Sequence, residues 1–195
     1  MDFSFQKDII LENERVLLRP MQEADIVNLL KVAAEDKTLV QYSPFQIHSE
    51  TLLKKYIETA LANRTDKVRY AFTIFDKQSN RYAGSTSFGN ISNVDKRIEI
   101  GWTWIGRQFQ KTGLNRNCKF LLMSYVFETL EFERLELRTD ERNAVSRKAI
   151  EAIGGRMEGI LRSHMLMTDG FRRSTVCYSI LSSEWPEAKK RFANL

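Results

Sequence analysis

A chain of 195 residues with 43% hydrophobic and 28% charged residues can build a packed core and is too apolar to stay disordered. Nine glycines and three prolines exclude collagen-like repeats and long Pro-rich linkers, no run approaches the roughly 18 apolar residues of a membrane span, and Met1 to Ile10 lacks the basic-then-apolar pattern of a signal peptide. The net charge of +5 is mild, and Cys118 and Cys177 are too few for a disulfide framework, so one domain over residues 1–195 in a reducing cytoplasm is expected.

Taken in chain order, Arg15 to Arg19 reads as a short strand stopped by Pro20. Ile26, Leu29, Leu30 and Ala33 then recur at helical spacing, and a second helix runs from Ser49, a good N-cap, through Leu52, Leu53, Tyr56, Ile57, Ala60 and Leu61. Arg69 to Asp76, Tyr82 to Gly89 and Arg97 to Ile105 form a three-strand meander, the first turn marked by Ser79-Asn80. After a loop from Gly106 to Gly113, a helix buries Leu114, Cys118, Leu121, Leu122, Tyr125 and Val126. Arg134 to Thr139 is a strand. Ser146, which suits an N-cap, opens a short helix that Gly154-Gly155 ends. Met157 to Met167 and Ser174 to Leu181 pair as a hairpin across Thr168-Asp169-Gly170, and Trp185 to Phe192 closes the chain as a small helix. The order β α α β β β α β α β β predicts a mixed sheet covered by helices.

The segment Gly106 to Lys119 carries Arg107, Lys111, Arg116 and Lys119 and no acid. Within it, Gln110-Lys111-Thr112-Gly113-Leu114-Asn115 joins a strand to a helix start, where free N–H groups and the positive end of the helix dipole favour a diphosphate. It has neither the glycine-lysine-serine/threonine ending of a Walker loop nor the three-glycine dinucleotide fingerprint, so an ordinary strand-to-helix turn is equally compatible with the residues. Elsewhere the two charge signs are mixed, which argues against a nucleic-acid footprint. His48 and His164 make no metal spacing, and no metal is expected. Cys118, on an apolar helix stripe, and Cys177, in an alternating strand, read as packing residues rather than nucleophiles. Trp102 and Trp104 read as packing on one strand face.

Several ordered pieces resemble the GNAT N-acetyltransferases, in particular the ribosomal-protein alanine acetyltransferase branch, from about Arg15 to Trp185. They are Arg15-Val16-Leu17-Leu18-Arg19-Pro20 with Asp25, Ile98-Glu99-Ile100-Gly101-Trp102, Gln110-x-x-Gly113, Asn143-x-x-Ser146 followed by Gly154, Glu158-Gly159-x-Leu161-Arg162, Asp169-Gly170, and Tyr178-Ser179-Ile180-Leu181. The resemblance implies an α/β fold whose mostly antiparallel sheet splays between its fourth and fifth strands. It implies acetyl-CoA as donor, a primary amine (a peptide N-terminus or a small amine) as acceptor, and a monomer or homodimer. Backbone N–H groups of Gln110, Lys111, Thr112, Gly113, Leu114 and Asn115 would hold the pyrophosphate. Trp102 to Ile105, Trp104 included, would pair with pantetheine opposite Leu137 to Thr139; Asn143 would bond the pantetheine arm and Ser146 would lie near the sulfur.

An amine is mostly protonated at neutral pH, since an α-amino group titrates near 8 and lysine near 10.4, so the reaction needs a proton acceptor. Glu99 matches the family's base by position, and alternation puts it opposite Ile98 and Ile100; as a purely structural residue it would be solvated or paired with Lys96 or Arg97. The chain departs from the family pattern at Asn115, at Asn117 and at Ile150, where a tyrosine commonly serves as acid, leaving Ser146 or water to protonate the leaving thiolate. That departure keeps open a second reading, an acyl-CoA-binding module without catalysis.

Overall fold

The computed structural model describes residues 1–193 of the chain. Eight strands form one sheet in the order β1-β2-β3-β4-β5-β6-β8-β7. They are β1 (Leu11–Glu12), β2 (Val16–Pro20), β3 (Arg69–Asp76), β4 (Arg81–Ser92), β5 (Arg97–Ile105), β6 (Arg134–Asp140), β7 (Arg156–Leu166) and β8 (Arg172–Leu181). Among the described residues, only β5 and β6 run parallel; every other pair is antiparallel. The helices are α1 (Asp25–Ala34), α2 (Glu50–Thr65), α3 (Leu114–Ser124), α4 (Ala144–Ala152) and α5 (Trp185–Lys190). This is the α/β class and strand order expected above, with one edge strand, β1, added. The family's fourth and fifth strands are therefore β5 and β6 here.

Strand register assigns side chains to two faces. Arg19, Thr73, Ser85 and Trp104 share the front face with Ser87, Gly101, Gly89 and Glu99. There α1 and α2 cover them: the Thr73 hydroxyl donates to Asp25 (2.6 Å) and the Tyr56 hydroxyl to Ser85 (3.3 Å). Tyr70, Phe72, Phe88 and Ile100 face the back, where Tyr125, just beyond α3, stacks on Phe88 at 6.0 Å. Phe3, Tyr70, Phe72 and Phe88 meet edge-on or tilted at 5.0–5.9 Å, geometry worth about 0.5–1.5 kcal/mol per pair beyond area burial.

Helix α1 is pinned by a buried ion pair. Asp25, at its first turn, accepts from Arg19 at 2.6 and 2.9 Å, from the Gln22 N–H at 2.9 Å and from Thr73. Burial opposes the charge on Asp25, yet these bonds outweigh it and lower its pKa. Removing either partner would strand a buried charge, which costs about 3–5 kcal/mol.

Local chemistry adjusts three expectations. Pro20 ends β2 from inside the strand, where no ladder N–H is required of it. Helix α4 starts at Ala144, because Asn143 rather than Ser146 is the N-cap: its Oδ1 accepts the Ser146 N–H at 3.0 Å. The terminal helix ends at Lys190, before Phe192.

Candidate active site

The sheet is parted beside β5. β5 and β6 pair only from Arg97 to Glu99 against Arg134 to Glu136. Beyond that point β5 stays on β4 as far as Ile105 and β6 stays on β8 as far as Asp140, so Trp102 to Ile105 and Leu137 to Thr139 face each other unpaired. A bulge bends β5 away at this place: Trp102 takes φ +51°, and Trp102 and Thr103 together oppose Thr86. The extra residue keeps Gly101 and Trp102 on the front face together. The Trp102 ring lies where a Cβ on Gly89 would meet it at 2.5 Å, under the Arg69 guanidinium at 5.1 Å. Trp104 is buried against Tyr56, and its indole N–H has no partner. Ile105 is buried at the strand end.

A turn follows at the open end of β5. Lys111 and Gly113 both take positive φ, +61° and +87°, and Gly113 caps α3 with no side-chain acceptor. Among the described residues, the backbone N–H groups of Lys111, Thr112, Gly113, Asn115 and Arg116 have no acceptor, and that of Leu114 makes only a 3.4 Å contact to the Thr112 hydroxyl. A Cβ on Gly113 would meet nothing within 4 Å, so the concavity is open. The turn thus presents the donors and positive helix end that an anion needs.

The Gln110 expectation is corrected, and two of the basic side chains of the segment lie away from the turn. The Gln110 N–H is spent on the Arg107 carbonyl (3.1 Å), and its side chain braces the turn by donating to the Ile105 carbonyl (2.9 Å). Arg116 turns away to the Arg191 carbonyl and the Phe192 ring. Lys119 is buried and donates to Thr103 Oγ1 at 3.2 Å, at the β5 bulge rather than at the loop. Asn117, in the place of the family's acid, ties the first turn of α3 to the Gly113 carbonyl (3.1 Å) and to Asn13 (2.8 Å).

Glu99 occupies the front face at the last paired rung before the slot, 6% exposed. Its neighbours are not Lys96 or Arg97. The Asn90 amide donates to Oε2 at 2.6 Å, and Arg138 Nε lies 3.4 Å away across the base of the slot. Burial raises the Glu99 pKa; Asn90 and Arg138 pull it back, and Glu136 pushes up again. Arg138 continues to Glu136 at 3.0 Å, linking Glu99 to a ladder of charge on β6. The sequence reading missed Asn90 and Arg138, because a pairing across three strands carries no local spacing. In front of the sheet, the α1–α2 loop and the β7–β8 turn are joined by Gln46 to Thr168 (3.2 Å) and by Arg173 to the Tyr42 carbonyl (2.6 Å). Between them lies a cleft of about 490 Å³ lined by Lys37, Gln41, His48, Met167 and Asp169.

On the back, α4 places Asn143 at its N-cap and Ser146 in its first turn. The Asn143 carbonyl oxygen serves the helix, which leaves its NH₂ for a ligand. Ile150 is buried in the core and offers no hydroxyl. Cys118 is also core, its thiol pushed up to about 12 by burial; Cys177 is half-buried on β8.

A mixed sheet parted beside a donor-rich turn is the architecture expected of an acyl-CoA-dependent transferase. The acetyltransferase (GNAT) domain model matches residues 15–156, and the chain belongs to that family. It is 27% identical over 181 residues to a Bacillus subtilis protein provisionally named ribosomal N-acetyltransferase YdaF, covering 91% of this chain and 97% of that one. A GCN5-related N-acetyltransferase from Brucella melitensis superposes with a TM-score of 0.87 at 27% identity, covering 96% of this chain and 85% of that one. Mycobacterium smegmatis RimJ, in a complex with CoA-disulfide, shares the fold with a TM-score of 0.79 at 20% identity, over 95% of this chain and 92% of that one.

Proposed function

We propose that this protein is an acetyl-CoA-dependent N-acetyltransferase whose acceptor is a primary amine, a protein N-terminus or a small amine, attacking directly in a ternary complex. The observation that carries the reading is the unpaired run of β5 and β6 between the donor-rich turn and the buried carboxylate of Glu99. The open space at Gly113 leaves room for such a ligand at the turn.

When bound, acetyl-CoA supplies the activated acyl group. The N–H groups from Lys111 to Arg116 would grip its diphosphate, and the free edge from Trp102 to Ile105 would pair with its amide arm. An N–H near Trp104 would hold the oxyanion that forms as the amine adds to the carbonyl. Asn143 and Ser146 would face the arm and the sulfur. Glu99 takes the amine proton. Burial raises its pKa, the direction that strengthens a base, while Asn90 and Arg138 lower it again. The acceptor would enter by the front cleft between the α1–α2 loop and the β7–β8 turn. The name borne by YdaF, a ribosomal N-acetyltransferase, lends weight to a ribosomal protein as the source of the amine. With both thiols unpaired, we place this activity in the cytoplasm.

The test is thiol release from acetyl-CoA with a panel of N-terminal peptides and small amines. Amine-dependent release with a matching acetylated product is expected. CoA binding without turnover on any amine would leave the chain a binding module.

A further inference from the structure

Resting on that reading, we propose that Arg69 selects the acceptor: its guanidinium binds the oxygen of a carbonyl or carboxylate that stands next to the reacting amine. Arg69 opens β3 on the front face and is 3% exposed. One rung crosses the sheet through Arg69, Gly89, Glu99 and Glu136, so the arginine and the candidate base stand two strands apart with only a glycine between them. Their side chains shorten that distance. Arg69 leans toward the next rung, where its Nε donates to Ser87 Oγ at 2.8 Å, and Ser87 is the register partner of Gly101. Glu99 leans the same way along β5: its Oε1 lies where a Cβ on Gly101 would meet it at 2.9 Å. Both charged ends therefore arrive at one level on neighbouring strands, beside the bulge at which β5 leaves β6. The Trp102 ring is the floor beneath the guanidinium, at 5.1 Å.

Each end also keeps one atom free among the described residues. Asn90 and Arg138 both address Glu99 Oε2, which leaves Oε1 without a partner. Arg69 Nη2 donates to the Tyr56 hydroxyl at 2.6 Å, which with the Ser87 bond leaves Nη1 without an acceptor and not sealed from solvent. No carboxylate lies within ion-pair reach of Arg69. A buried guanidinium without a counter-ion is costly, and its rigid fork of donors fits planar oxygen acceptors. An α-amine brings such an oxygen on the carbon next to its own, as the first carbonyl of a peptide or the carboxylate of a free amino acid. With the amine at Glu99 Oε1, that oxygen can turn to Nη1. A simple alkyl amine has nothing to offer there. A diamine would bring a second positive charge toward Arg69, on a front face where Arg138 and Arg173 already act on the Glu99 charge.

The test measures kcat/KM, per unit of free-base amine, for an alanine-initiated tripeptide amide, for propylamine and for 1,4-diaminobutane, in the unaltered protein and in Arg69→Met. The unaltered protein is expected to prefer the tripeptide to either amine by about 10–100-fold, the worth of a hydrogen bond to a charged group. Arg69→Met is expected to lose that preference through a fall for the tripeptide alone, with propylamine held within about twofold. An unaltered protein that takes propylamine or the diamine as well as the tripeptide overturns the assignment without any variant, so the proposal stays testable if Arg69→Met does not fold. A preference retained in Arg69→Met, or a fall shared equally by the tripeptide and propylamine, would also overturn it and leave Arg69 a brace between Trp102 and α2. Turnover of no amine by the unaltered protein would instead refute the acetyltransferase reading on which the assignment rests.

Discussion

At Glu99 the neighbours decide the chemistry. A strand glutamate in water loses its proton readily; burial makes Glu99 hold it to higher pH, while Asn90 and Arg138 pull the other way. Activity should therefore rise with pH through a pKa above the ordinary glutamate value of 4.5, as the carboxyl loses its proton. Glu99→Gln is expected to lower kcat by about 10²–10⁴-fold and erase that acidic limb; a retained limb would assign it to another group. Lys119 yields the opposite kind of prediction. Its depression from 10.5 to about 8 is equivalent to about 3 kcal/mol of destabilisation, fully present below pH 8 and gone once both folded and unfolded chains are neutral above 10.5. Lys119→Met should then raise stability at pH 7 by about 1–3 kcal/mol in denaturant titration, its advantage shrinking as pH rises from 8 to 10.5. A less stable variant at pH 7 would mean that the bond to Thr103 outweighs burial.

Among the elements, most of the sheet was legible because hydrophobic alternation and helical spacing are local. The meander, α3 and the final hairpin fall where their patterns place them. β1 was not legible, since two residues carry no period and only pairing with Leu17 and Leu18 makes them a strand. The bulge at Trp102 was equally hidden: it is an irregularity of register, and the run Ile100 to Ile105 reads as plain strand. The turn before α3 makes its own prediction. Gly113→Val must place a β-branched residue at φ +87°, a strain of about 1–3 kcal/mol, and push methyl groups into the open concavity. CoA affinity should fall at least tenfold by calorimetry, with Gly113→Ala between; unchanged affinity in both would reduce the segment to a connecting turn.

Across the whole molecule, function depends on a defect in an otherwise continuous sheet. β4 and β8 hold β5 and β6 on their outer sides, so the parted edges are fixed apart by their other partners and need no induced opening. Arg138 spans the base of the gap to Glu99, and the front loops are tied together by Gln46, Thr168 and Arg173. On the proposed reading, the chain offers free N–H groups at one end of the gap and the Glu99 carboxylate in front of it. The most direct measurement is a crystal structure with CoA bound. The account predicts the diphosphate on the N–H groups of residues 111–116 and the amide arm between Trp102–Ile105 and Leu137–Thr139. CoA seated elsewhere, or those two edges hydrogen-bonded to each other along their length, would contradict it.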